Sequence, residues 1–269
     1  MSNVIDFFIY EDDETYHSRS KSGEVLSSHM LLDFKASPKF YRKKTTGAII
    51  EKPRTAYTFG RACHKLILEG KDEFDKQYLV SDGPVNKKTG QPYGSTTKAY
   101  LEWKHLQYKE IISIADYGEL AKMNLCVQSN EVAKELLSSG VAEAVVRTNY
   151  CGVDCQIKID WFNPDMGIVD LKSTAELKTF ERDCFNYHYI EQMAFYQQNL
   201  KALVGIEFPI YLVAIEKQEP YTCGVWKITQ NALNPAIKSN EKAIAKLIEC
   251  RETNFYPTGY EDLRFIGEE

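Results

Sequence analysis

What the chain lacks narrows its identity first. No apolar run in its 269 residues reaches the roughly 20 needed to span a bilayer. The opening MSNVIDFFIYEDDE is acidic and has no basic start of the kind a signal peptide carries. A protein of the cytoplasm with no membrane attachment is expected. The seven cysteines (63, 126, 151, 155, 184, 223 and 250) contain no CxxC pair, so neither a zinc site nor a disulfide framework is indicated. Reduced thiols fit best, with Cys151 and Cys155 as small buried hydrophobes. Neither GxGxxG nor GxxxxGK[ST] occurs, which speaks against ATP-dependent chemistry. There are no internal repeats. Nor is there an excess of positive charge, since 33 basic and 38 acidic residues leave a net charge of −5. That disfavours a protein that coats nucleic acid nonspecifically, but not an enzyme with a local basic groove.

What is present centres on residues 153–173, VDCQIKIDWFNPDMGIVDLKS. Two apolar-rich runs flank Asn163-Pro164-Asp165-Met166, which is turn chemistry, so the stretch reads as a β-hairpin folded about Asp165. Residues whose numbers sum to 330 then face each other, and Asp160 sits opposite Asp170. Lys172 shares the Asp170 face by the period-2 rule. Opposed Cβ atoms on such a pair lie roughly 4.5–5.5 Å apart, where like charges destabilise. Ile157, Ile159, Trp161, Ile168, Val169 and Leu171 mark the hairpin as largely buried, and unpaired carboxylates there are costly. A divalent cation held between them resolves the conflict, with Lys172 as a further positive charge beside a reacting group. The plainer alternative is a hairpin with Asp160 or Asp170 in salt bridges, Lys172 being one partner.

The rest of the chain sets this hairpin in context. Residues 1–24 read as irregular, with an acidic patch at Glu11–Glu14 and a basic one at Arg19–Lys21. Short helices are expected from Ser27 or Ser28 to Ala36 and over Pro38–Lys44, then a loop over 45–54. Tyr57–Glu69 has helical core spacing with Gly70 as its cap, and His64 falls beside that stripe. Residues 81–97 are rich in breakers and predict a long loop, either a substrate-contacting flap or plain disorder. Helices over Lys98–Ile114 and Ala115–Ser138 lead to a strand over Val141–Asn149. After the hairpin come a helix over Lys178–Leu200, a second hairpin (208–216 with 221–229) and a closing helix over Asn231–Thr253. This order implies an α/β fold in one domain, a central mixed β-sheet flanked by helices.

Taken together, Asp160, IVDLK at 168–172 and QMAFY at 192–196 resemble the PD-(D/E)XK nuclease superfamily, in its RecB/RecE-type branch with a trailing Q-x-x-x-Y helix. The opening YHSRSKSGEVLSSHMLLDFKASPKFYR and the helix FGRACHKLILEG at 59–70 further resemble the RecE (exonuclease VIII) C-terminal nuclease domain and its phage-encoded relatives. The resemblance implies Asp160 and Asp170 as metal ligands with His64 completing the shell. It makes Lys172 the lysine that positions or activates water, and Gln192 and Tyr196 the groups that orient Lys172 or a phosphate. Glu143 stands where many relatives carry a strand glutamate. The chain departs from the pattern in having Ile159 before Asp160 instead of proline, and Asp170 where other branches carry Glu.

The implied activity is a Mg²⁺-dependent deoxyribonuclease, with Mn²⁺ able to substitute. By resemblance it is a 5′→3′ exonuclease on double-stranded DNA ends that leaves 3′ single strands for recombination. Such relatives act as ring-shaped homo-oligomers beside a RecT-like annealing protein, in the cytoplasm of a bacterial or phage-infected cell. Lys39, Arg42, Lys43, Lys44, Lys87 and Lys88 are candidates for the DNA-facing surface. Alternatives are an endonuclease, an end-processing enzyme of the CRISPR-adaptation type, or an inactive DNA-binding module. The missing cysteine cluster counts against the second and the intact motif against the third.

Overall fold

In the computed structural model, residues 4–49 and 55–267 are described, with the side chains of 55–57 excepted, so part of the loop expected at 45–54 lies outside them. A helical turn at Val4–Phe7 precedes α1 (Asp13–Lys21), α2 (Ser28–Ala36), α3 (Pro38–Thr45) and α4 (Thr55–His64). The last of these runs on through a π-helical turn, Lys65–Glu69, into α5 (Gly70–Gln77). Then come β1 (Tyr78–Val80), α6 (Lys98–His105), β2 (Glu110–Ile112), α7 (Ile114–Ser129) and α8 (Glu131–Leu136). The main sheet is built from β3 (Val141–Tyr150), β4 (Val153–Asn163), β5 (Gly167–Thr174), β6 (Ile210–Glu216) and β7 (Cys223–Ile228). Helices α9 (Phe180–Asn186), α10 (Tyr189–Val204) and α11 (Gln230–Thr253) complete the order.

The five strands lie in sequence order, antiparallel except for the parallel pair β5–β6. Strands β3 to β6 bury residues on both faces, which makes this an α/β sandwich. Ile210, Leu212 and Ala214 join the core that α2, α3, α10 and α11 cover. Val213 and Ile215 join the opposite core under α5, α7, α8 and the π-helical turn. The helices meet the sheet by ordinary amphipathic spacing: Leu120, Met123 and Val127 on α7, and Leu233, Ala236, Ile244 and Leu247 on α11.

The hairpin register is the one the turn dictates. Trp161 pairs with Val169, Phe162 with Ile168 and Asn163 with Gly167, and the Asn163 side chain accepts from the N–H groups of Asp165 and Met166. Past Trp161–Val169 the strands part. Leu26 takes up the edge that β5 leaves, bonding Asp154 O and Gln156 N. The fork between β4 and β5 opens the cleft in which the site sits.

Several local expectations are corrected. Residues 13–21 form a helix, because Asp12 caps Thr15 N–H and the acid-first, base-last order suits the helix dipole. The long helix expected over 98–114 stops at His105, and Glu110–Ile112 instead pairs in parallel with Tyr78–Val80. The helix expected over 178–200 breaks at His188, whose φ is +60°. Gly70 (φ +86°) caps one helix and starts the next. The loop 81–97 folds on itself through a Val85–Pro92 bridge, and none of its residues lines the cleft.

Gly167 holds a close approach. Its φ is +130°, and a Cβ there would lie 2.3 Å from the Pro209 carbonyl, which accepts the Ile168 N–H at the start of β6. Gly167→Ala therefore combines backbone strain with a backbone clash. The expected cost is about 3 kcal/mol, roughly a 10 °C fall in Tm by calorimetry. A variant as stable as wild type would mean that β5 and β6 do not meet this closely.

Candidate active site

The cleft encloses about 1120 Å³. Its floor is the fork of β4 and β5, one wall is α10, another is the end of α4, and α1 closes the rim. His64 ends α4 where the helix widens into its π turn, a distortion often found at functional sites. Its Nδ1 lies 3.5 Å from Asp160 Oδ2. Asp160 Oδ2 also accepts from the Leu171 N–H at 2.9 Å, replacing the ladder bond lost where the strands part.

Glu143 is the strained member. Its φ of +55° is uncommon outside glycine, and it sits across from Asp160 between the pairs Ala142–Trp161 and Ala144–Ile159. Both strands change face here together. Ile159 and Ala144 face one core, Trp161 and Ala142 the other, so the register survives while Glu143 and Asp160 turn into the cleft.

His64, Glu143 and Asp160 bring donor atoms within 4.8 Å of one another. Two carboxylate oxygens and an imidazole nitrogen form a donor set that fits a divalent cation. The charge state agrees. Burial pushes the Asp160 carboxyl up to about 7, with Asp170 and Glu143 adding to the effect and His64 and Lys172 opposing it. An acid so placed is short of positive charge.

Asp170 is not in that group of three. Its side chain is buried and pairs with Lys172 Nζ at 2.5 Å, the salt bridge that the plainer reading of the hairpin allowed. Lys172 also donates to Gln192 Oε1 at 3.3 Å, Gln192 Nε2 to the Tyr196 hydroxyl at 3.3 Å, and the ammonium lies 4.7 Å from the Tyr189 ring centroid. Burial works against the Lys172 charge, but Asp170 and Asp160 outweigh it and raise its pKa. The lysine is a fixed cation, held by a carboxylate, an amide and an aromatic face.

Lys158, absent from the expected set, bridges Glu143 Oε2 at 2.7 Å and Asp13 Oδ1 at 2.5 Å, which ties α1 to the site. Arg147 pairs with Glu11 and the Gln156 amide donates to the Tyr16 carbonyl, fixing the same segment. Two signals could have found these residues. Lys158 stands two before Asp160 on one strand, and Arg61, which also lines the cleft, stands three before His64 on one helix.

The six basic candidates lie elsewhere. None of Lys39, Arg42, Lys43, Lys44, Lys87 and Lys88 lines the cleft. Lys44 pairs with Asp33 at 2.5 Å, and Arg42 lies over the Tyr256 ring. The cleft's own cations are Lys21, Arg61, Lys65, Lys158 and Lys172. No helix among the described residues is long and apolar enough to cross a membrane.

Comparison with known proteins fits this geometry. The family described as "PDDEXK-like domain of unknown function (DUF3799)" matches residues 27–268. A crystal structure of a provisionally named exonuclease from Eubacterium rectale matches with a TM-score of 0.68 at 17% identity, covering 97% of each chain. At that identity the likeness shows a shared fold. No curated protein matches the sequence.

Proposed function

The chain belongs to this family of PDDEXK-like domains, and from that premise we propose that it is a Mg²⁺-dependent deoxyribonuclease acting on double-stranded DNA ends. The observation that carries the reading is the grouping of His64, Glu143 and Asp160 beside a fixed cation, Lys172. A Mg²⁺ or Mn²⁺ ion bound there would lower the pKa of a water and polarise the phosphate. The chain's own residues do the rest. Lys172 stays protonated, so it offsets charge developing on the phosphate and does not act as the base. Gln192, held by Tyr196, fixes where that charge sits. Lys158 holds Glu143 turned inward through their ion pair.

The finer reading is a 5′→3′ exonuclease that produces 3′ tails for recombination, working as a homo-oligomeric ring with a RecT-like annealing partner. It rests on the motif order His64, Asp160, Asp170, Lys172, Gln192 and Tyr196. The test is digestion of linear duplex DNA labelled separately at each end, with Mg²⁺ or EDTA, beside closed circular DNA. Loss of the 5′ label that requires metal, with circles spared, is the expected result. Cut circles would make the protein an endonuclease. No cleavage with any divalent metal would leave a DNA-binding module.

A further inference from the structure

Helix α9 ends in Phe185 and Asn186, and the chain turns through Tyr187 and His188 into α10; the proposed chemistry makes no use of this turn. Tyr187 is 63% exposed although it lines the cleft, and Phe185 beside it is 64% exposed. Large aromatic side chains left in water forgo the burial that normally accounts for them. The turn is held in an unfavourable shape to present them, since His188 has a left-handed backbone and a side chain 3.2 Å from Glu191.

From Tyr187 a run of rings leads to the reacting end of the site. Tyr187 and Tyr189 lie 5.8 Å apart between centroids with planes 38° apart, and the Tyr189 ring carries the Lys172 ammonium. Behind them Tyr189 leans on Phe180, which packs on Trp226, and Trp226 is bonded to Glu181. Tyr189 is therefore backed by the fold, while Tyr187 is open on its outer face. Each step along this run covers one to two stacked nucleotides, whose rise is about 3.4 Å.

We infer that Tyr187 is a stacking platform for an unpaired nucleobase, one or two nucleotides from the phosphate that Lys172 faces. The inference rests on the nuclease reading and adds a substrate class to it: a frayed or single-stranded DNA end. A base inside a duplex has both faces covered by its neighbours, whereas an unpaired base offers a face to an aromatic ring, and every base has one. The platform is thus tolerant of sequence and selective for unpaired ends.

The test uses the whole chain and a duplex carrying 2-aminopurine, a base whose fluorescence stacking quenches, as an unpaired end. In EDTA, wild type is expected to bind and quench the probe. Tyr187→Ala should bind about tenfold more weakly without the quench, and Tyr187→Trp should retain both. With Mg²⁺, an abasic residue at the probe position should raise the wild-type KM about tenfold and leave Tyr187→Ala no worse than on the intact strand. Equal quenching by wild type and Tyr187→Ala would overturn the platform. So would a Tyr187→Ala defect that is as large on the abasic strand as on the intact one. A protein that quenches the probe but never cleaves keeps the platform and loses the nuclease reading. One that cleaves without the quench does the reverse.

Discussion

Lys172→Ala is expected to slow cleavage of linear duplex DNA by about a hundred- to a thousandfold, the usual effect of removing one preorganised donor from a site of developing charge. The same change also strikes the fold. Asp170 is 1% exposed and its ion pair is to Lys172, so truncation strands a buried carboxylate. Breaking such a pair costs about 3–5 kcal/mol, enough to lower Tm by more than 5 °C. Lost activity alone would therefore not distinguish a missing catalytic charge from a partly unfolded protein. The double variant Asp170→Asn/Lys172→Met, read beside Asp170→Asn alone, separates the two, because it removes both charges and leaves side chains of similar volume. Its stability should return to within about 1 kcal/mol of wild type while cleavage stays lost. If activity recovered with stability, Lys172 would be a structural cation and the chemistry would have to be sought around Lys158. DNA binding in EDTA gives a third reading, since a lysine that acts on the transition state should change it little.

How much of this site could be read in advance depends on how local each determinant is. The hairpin could, because Asn163 and Pro164 set the turn, and a fixed turn sets the register of Asp160 and Asp170. His64 could be placed on its helix by spacing, and its nearness to Asp160 followed only from resemblance, since the two are brought together by packing across the sheet. Which carboxylates converge could not be read. Alternation puts Asp160 and Asp170 on facing positions, but the strands fork between them, and the matched change of face at Glu143 and Asp160 brings Glu143 in. No residue type announces that change, for Glu143 takes a left-handed backbone without being glycine or asparagine. His188 hides the end of a helix in the same way. The helix at Asp13–Lys21 is different, since its determinants are local: Asp12 as a cap and acidic and basic patches that mark the two ends of one element.

Replacing Asp160 by Asn should abolish cleavage and metal binding and should reverse the pH dependence of the unliganded protein's stability. The sign follows from burial. An aspartate in an unfolded chain titrates near 3.8, and in the fold Asp160 is pushed up to about 7. The stability associated with the neutral carboxyl is fully present below the unfolded value and is lost as pH rises through 7. Wild type without metal should therefore lose on the order of 2 kcal/mol between pH 5.5 and 8.5 relative to Asp160→Asn, less than the full shift implies because only the part of it between pH 5.5 and about 7 falls in this range. His17 and His29 act in the opposite direction. Burial lowers both, so their contribution is lost as pH falls through the unfolded value of 6.5. They are common to the two proteins, and the difference between wild type and variant isolates Asp160. Metal should cancel the effect in wild type alone. The ligand must be ionised, so binding releases a proton below pH 7 and the apparent affinity falls by up to about tenfold per pH unit. At a hundredfold excess over Kd, Mg²⁺ should raise wild-type stability at pH 8.5 by about 2.7 kcal/mol and leave Asp160→Asn unmoved. Calorimetry of both proteins across this range, with Mg²⁺ and with EDTA, would measure all of these differences. Parallel curves in EDTA would mean that Asp160 is already ionised and satisfied by His64 in the empty site, and that the three side chains gather for a structural reason and not for a metal.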